Sequence, residues 1–287
     1  MINYYLYKFG EFLACSLPLK LAYRVAVFFS DARFIVAGQD RKFVYANLAA
    51  IFPHKSRKEL KDIRRRMFRN FAKYLVDFFR SPMNNAEYMK NNITVEGFEH
   101  YDRALANGKG IIVLTAHIGN WELGGRVIGT NYDFWVVALP HANKHVNRFF
   151  DGRRETGGMK VIPFGKAARL CLQLLKQNKL IGLVGDRDFS KDRGIVVDFI
   201  GRPTYLPKGP AALAIATGAP IIPGFMIRNP DDSFTLKIQP AIEAKPGQKA
   251  SCDEDIREVI GRYKTTIEDF IRQYPDQWFM FRQYWVE

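Results

Sequence analysis

With 287 residues, 47% of them hydrophobic, the chain can bury a large core as one domain or as one domain with a modest appendage, which excludes disorder as the default. Its 43 Lys+Arg against 29 Asp+Glu leave a charge of +14, favouring an anionic partner such as a lipid headgroup, a nucleic acid or an acidic carrier protein. Cys15, Cys171 and Cys252 lie far apart without CxxC or CxxxH spacing, which argues against a zinc ribbon or a disulfide framework and reads as buried small hydrophobes in a reducing setting.

The N-terminal region is rich in aromatic and aliphatic residues, but Glu11, Pro18, Lys20, Arg24 and Asp31 interrupt it before it reaches the roughly 20 apolar residues of a spanning helix. It also lacks a clean signal-peptide layout. Two readings stay open: amphipathic helices lying in the headgroup region of a membrane, or a helical hairpin covering the core. Leu60, Ile63, Met67, Phe71, Tyr74 and Phe78 then recur at three and four, predicting a helix over 57–80. Its other side carries Lys58, Lys61, Arg64, Arg65, Arg66, Arg69 and Lys73, either a solvated face or one set against anionic lipid.

Beyond residue 90 the texture changes to short β-branched runs at 93–96, 110–116, 134–139, 160–164, 180–184, 195–200, 221–227 and 234–238. Helical patterns at 167–176 and 210–217 fall between them, and a charged helix over 253–272 closes the chain. This alternation predicts an α/β fold with a mixed, centrally parallel sheet flanked by helices. The expected organisation is residues 1–90 as N-terminal amphipathic, membrane-associating helices packed on the core, and 91–287 as the α/β core. The aromatic run Gln277-Trp-Phe-Met-Phe-Arg-Gln-Tyr-Trp285 is expected to pack on the core or add to a membrane-facing rim.

Chemistry concentrates in Ile111-Ile-Val-Leu-Thr-Ala-His117-Ile-Gly-Asn-Trp-Glu122. A buried strand ends at His117, Gly119 permits a turn and Asn120 caps the next helix, so both polar residues emerge at a strand's carboxyl end, the ligand edge of open α/β sheets. On one continuous helix, residues five apart point about 140° away from each other, so the pair needs that turn to meet. Meeting, Glu122 would orient the His117 imidazole and leave its other nitrogen to deprotonate an alcohol. Main-chain N–H groups near Gly119 or Asn120 are candidate oxyanion donors. Lys208, before the helix start at Gly209-Pro210, is a candidate phosphate seat. No Gly-x-Ser-x-Gly elbow supports a nucleophilic serine.

The His117–Glu122 block resembles the His-x4-Asp/Glu motif of the late acyltransferases of lipid A biosynthesis, a family that includes phosphatidylinositol mannoside acyltransferases. Further blocks follow in the same order: 47–53, Arg153-Arg-Glu-Thr-Gly-Gly-Met-Lys-Val-Ile-Pro163, Asp186-Arg-Asp188, 198–211 and 217–223. The resemblance implies a glycerolipid-acyltransferase-like core without a cofactor. It also implies transfer of an acyl chain from an acyl carrier protein or CoA thioester to a hydroxyl of a lipid A precursor or similar glycolipid. On the same resemblance no acyl-enzyme is expected to form, with His117 as the base and Glu122 as its partner. Asn120, Arg154, Asp186, Arg187, Asp188 and Lys208 are the expected substrate-binding residues. The expected location is the cytoplasmic face of the inner membrane, held peripherally or monotopically.

Three alternatives remain. A glycerophospholipid or other lipid acceptor shares the mechanism. A metal-dependent hydrolase would start from His141 and His145, four apart, but the chain lacks a His-Glu-x-x-His signature and no metal is expected. A nucleic-acid-binding module would account for the charge, but no recognition motif accompanies it and no nucleic-acid partner is expected.

Overall fold

The computed structural model describes residues 2–188 and 194–286. Four helices come first: α1 (Ile2–Ser16), α2 (Leu19–Val36), α3 (Gly38–Ile51) and α4 (Arg57–Arg80). Ser56 and Glu59 start α4 with a reciprocal capping box, which satisfies otherwise orphaned N–H groups and fixes the boundary that the apolar spacing predicts. The α/β body follows as α5 (Ala86–Asn92), β1 (Ile93–Glu96), α6 (Glu99–Leu105), β2 (Ile111–Thr115), α7 (Trp121–Asn131), β3 (Phe134–Ala138), α8 (Lys144–Thr156), β4 (Met159–Pro163), α9 (Ala167–Lys176) and β5 (Leu180–Val184). It continues through β6 (Gly194–Phe199), β7 (Arg202–Pro207), α10 (Gly209–Thr217), β8 (Ile221–Arg228), β9 (Phe234–Ile238) and α11 (Asp253–Gln273).

Seven strands form one sheet in the order β1-β9-β8-β2-β5-β3-β4, parallel throughout except for the antiparallel β8–β9 pair. The mixed, centrally parallel sheet expected from the sequence is therefore the observed one. Alternation along β2 buries both of its faces. Ile112 and Leu114 join a cluster under α9, α10 and α11, whereas Ile111 and Val113 face Tyr101, Leu123 and Val127 of α6 and α7. β6 and β7 form a separate antiparallel hairpin. The sequence reading does not foresee β7, whose Pro203 and Pro207 suppress a strand signal but are tolerated where a sheet has only two strands.

The N-terminal helices pack on this body through buried polar contacts as well as apolar ones. Asp77 on α4 accepts from Arg228 at the end of β8, from the Tyr23 hydroxyl of α2 and from the Asn120 amide at 3.1 Å. Much of the basic face of α4 is tied within the molecule. Arg65 and Arg69 clasp Asp31 on α2, Arg66 holds Asp276, Lys73 holds Asp232, and Arg64 lies over Phe34 and Tyr45. Hydrogen bonds from Arg69 outweigh burial and push the Asp31 carboxyl down to about 2. The inner sides of α1 and α2 contribute Ala14, Ala22 and Tyr23 to a cluster with Val76, Phe78 and Phe79 of α4. Their outer sides remain apolar and exposed. Among the described residues, no helix is long and apolar enough to cross a membrane.

Candidate active site

β2 and β5 are parallel neighbours with Thr115 opposite Val184. Two further residues along each strand bring His117 opposite Asp186. The imidazole Nδ1 lies 2.7 Å from Asp186 Oδ1, and the Asp186 carboxyl is fully buried. Burial alone would push that carboxyl up, but the His117 ring, Arg187 and the Trp278 N–H together hold it well below the usual carboxylate range. An ionised carboxylate only accepts, so Nδ1 carries the hydrogen and Nε2 keeps its lone pair for a substrate.

The turn after His117 follows the sequence reading. Gly119 has φ +61°, and a Cβ there would sit 2.0 Å from the Met226 carbonyl oxygen, so only glycine fits. Asn120 accepts from Leu123 N at 3.1 Å and caps α7. The candidate oxyanion donors at Gly119 and Asn120 are nevertheless occupied: Gly119 N donates to the Gln277 carbonyl and Asn120 N to that of Met226, at 2.9 and 2.8 Å. The buried Asn120 side chain is also engaged in the turn, its oxygen on the helix cap and one N–H of its NH2 on Asp77.

Glu122 also departs from expectation. No hydrogen bond or ion pair joins it to His117. Its carboxylate faces α8, where Arg154 donates from Nε at 3.1–3.2 Å and from Nη2 at 2.7 Å. Arg154 also reaches Asp151 through Nη1. Burial disfavours the Arg154 charge, but Glu122 more than offsets this and holds the guanidinium protonated. The physical reason is the turn itself: it starts α7 so that its first turn faces α8, while the ring stays beside β5. Trp121 links the two pairs, its indole lying against His117 at 5.1 Å and stacked on Tyr74 at 4.5 Å.

Of the other expected residues, Arg187 lies among Asp186, Met280 and Tyr284 at the back of the imidazole pair, and burial lowers its pKa. Asp188 belongs to the hairpin side, where its N–H donates to the Tyr205 carbonyl at 3.2 Å. Lys208 pairs with Asp253 at 2.8 Å at the start of α11 and makes no ion pair with the His117 cluster. The helix it precedes has no side-chain cap. The contact set therefore does not assign Lys208 to the His117 cluster. His141 and His145 go to different aromatic partners, Phe150 and Tyr4.

Sequence reasoning missed the contribution of the C-terminal aromatic run. Ile118 and Trp278 form an antiparallel bridge, with Phe279 N donating to the His117 carbonyl at 2.9 Å. The Trp278 indole donates to Asp186 Oδ2 at 3.1 Å, and the Tyr284 hydroxyl donates to the Asp186 carbonyl. The run packs on the core, with Trp278 fully buried. A narrow cleft lined by Asn120, Glu122, Leu123, Arg126 and Phe78 leads from the α7 start toward Asn84. Asn84 and Arg126 also border a cavity of about 410 Å³ floored by Met89, Ile93, Val95, Phe98 and Val127.

The site thus sets a histidine–aspartate pair at adjacent parallel strand ends next to a largely buried glutamate–arginine pair. The family described as bacterial lipid A biosynthesis acyltransferase matches residues 1–287. The chain belongs to this family. Being a member of the lipid A acyltransferase family makes it an acyltransferase and a transferase of glycolipid biosynthesis. It is similar to the phosphatidylinositol mannoside acyltransferase of Mycolicibacterium smegmatis, at 27% identity over 98% of this chain and 90% of the relative. It is also similar to the lipid A biosynthesis acyltransferase of Haemophilus influenzae, at 22% identity over 84% and 74%, and to the lipid A biosynthesis palmitoleoyltransferase of Escherichia coli, at 24% over 81% and 74%. Members of the lipid A acyltransferase family imply an acyl donor and a lipid acceptor for this chain.

Proposed function

We propose that this acyltransferase moves a fatty acyl chain from an acyl carrier protein or CoA thioester to a hydroxyl of a lipid A precursor or similar glycolipid, with His117 as the general base. The observation that carries the reading is the 2.7 Å His117–Asp186 contact at the carboxyl edge of the sheet. Nε2 of His117 takes the hydroxyl proton as the oxygen attacks the thioester carbonyl. The tetrahedral intermediate then collapses, the C–S bond breaks, and the imidazolium returns the proton to the departing thiolate. Asp186 holds the ring and stabilises the imidazolium while remaining ionised. The N–H groups of Trp121 and Glu122 at the α7 start are the donors assigned to the oxyanion.

Glu122 acts through Arg154, fixing the α7 start against α8 and keeping a cation near the site. The apolar cavity beyond Arg126 is assigned to an alkyl chain. The glycolipid acceptor is favoured over a glycerophospholipid because relatives of both kinds carry glycolipid names, and the basic surface suits an acidic carrier protein. The exposed apolar sides of α1 and α2 support a peripheral position on a membrane surface.

The test is acyl transfer from carrier-protein and CoA thioesters onto a lipid A precursor, a phosphatidylinositol mannoside and phosphatidylglycerol. His117→Ala is expected to abolish turnover, and Asp186→Asn to lower kcat by about 10³-fold or more. Near-wild-type turnover by His117→Ala would end the mechanism; preference for phosphatidylglycerol would end the glycolipid assignment.

A further inference from the structure

The C-terminal run enters the site from about 90 residues beyond Asp186, and its main chain and one side chain engage different halves of the imidazole–carboxylate pair. The bridge between Ile118 and Trp278, closed by Gly119 N to the Gln277 carbonyl and Phe279 N to the His117 carbonyl, sets the backbone of the histidine. The indole N–H of the same tryptophan occupies Asp186 Oδ2, leaving Oδ1 on the ring. The run is fixed in turn by Asn47 of α3, whose NH2 donates to the carbonyls of Met280 and Arg282, and by the Gln277 side chain, which exchanges two hydrogen bonds with the Arg228 backbone.

We propose that Trp278 is a positioning residue of the transfer reaction: by binding one oxygen of Asp186 it fixes the other on His117 and sets the basicity of the pair. The inference rests on His117 being the base. A carboxylate rotates about its Cβ–Cγ bond unless both oxygens are held, and the fully buried Asp186 has no solvent to hold the second one. A carboxylate that loses a donor is also the stronger acceptor, so it retains the Nδ1 hydrogen more tightly and favours the imidazolium. The charged and titratable groups around the pair are Arg187 and Tyr284 beside Asp186, with Arg282 and Tyr74 facing Arg187.

The experiment compares full-length wild type with Trp278→Phe and with an isostere in which benzothienylalanine replaces Trp278, keeping the bicyclic shape and removing only the N–H. Turnover is measured across pH with the thioester and acceptor that the wild type uses fastest. Both variants are expected to lose kcat by about tenfold at unchanged KM, with the acidic limb of kcat/KM moved to higher pH. An isostere with wild-type kcat and an unmoved limb overturns the proposal, as does a kcat loss in both variants with no movement of the limb. His117→Ala, run alongside, separates the two readings. If it is inactive while the isostere behaves as wild type, only the role of Trp278 fails; if it turns over, the base assignment fails and this inference with it.

Discussion

At His117 and Asp186, strand register does the chemical work. Each residue stands two positions past the end of its strand, and the pairing of Thr115 with Val184 makes them meet. Glu122 meets Arg154 instead, in a nearly dry contact whose side chains are only 10% and 15% exposed. The two acidic residues thereby acquire different jobs, which mutation separates. Glu122→Gln removes a charge from Arg154 but leaves the imidazole's partner in place, so turnover is expected to fall by about tenfold with the acidic limb of the pH profile unmoved. A moved limb in Glu122→Gln would show that Glu122, after all, communicates with the base.

Helix α4 is the element that joins the N-terminal layer to the site. Its capped start, apolar stripe and basic face are all local sequence properties, but its most consequential residue, Asp77, sits on the buried side and carries no pattern. Asp77 and Arg228 are a buried ion pair with side chains 3% and 6% exposed, and the same carboxylate receives the Asn120 amide. Asp77 therefore orients the amide whose oxygen caps α7. Asp77→Ala leaves the guanidinium in a dry site with the longer Asp232 contact in place of its buried partner and is expected to cost about 3 kcal/mol. Arg228→Met alone is expected to be similarly harmful, whereas the double variant should recover part of the loss because neither charge is then left alone. Urea unfolding of the four proteins measures the coupling, and strictly additive losses would contradict the pairing.

For the molecule as a whole, α1 and α2 present Tyr5, Leu6, Phe9 and Phe12 with Leu21, Phe28, Phe29, Ile35 and Val36 to solvent, Val36 at 81% exposure. Exposed Lys20, Arg24 and Arg33 lie among them. Exposed apolar residues of this kind beside cations match an interfacial binding face. Sedimentation with vesicles is expected to be strong for anionic phosphatidylglycerol, weaker for phosphatidylcholine, and reduced by salt. Phe9→Ser combined with Phe28→Ser should weaken binding to both vesicle types without unfolding the chain, because neither side chain is buried. Equal sedimentation of this double variant and wild type would remove the membrane assignment for this face.

The sequence by itself determined what depends on neighbours along the chain. The α4 boundary follows from its capping box, the turn at Gly119 from the need for positive φ, the strand-to-helix delivery of His117 from the apolar run before it, and family membership from ordered motif blocks. The N-terminal helices cover the core with one face, as one of their two open readings had it, and expose an apolar one. Only tertiary structure decided who pairs with whom. Asp186 and Trp278 reach His117 from 69 and 161 positions away, through strand register and a C-terminal bridge that leave no trace in local spacing. Glu122, five residues from the histidine, is turned toward α8 by the geometry that makes α7 start where it does. Proximity along the chain suggested a His117–Glu122 contact that the fold does not make, because a carboxylate binds whichever cation or N–H the packed elements place against it.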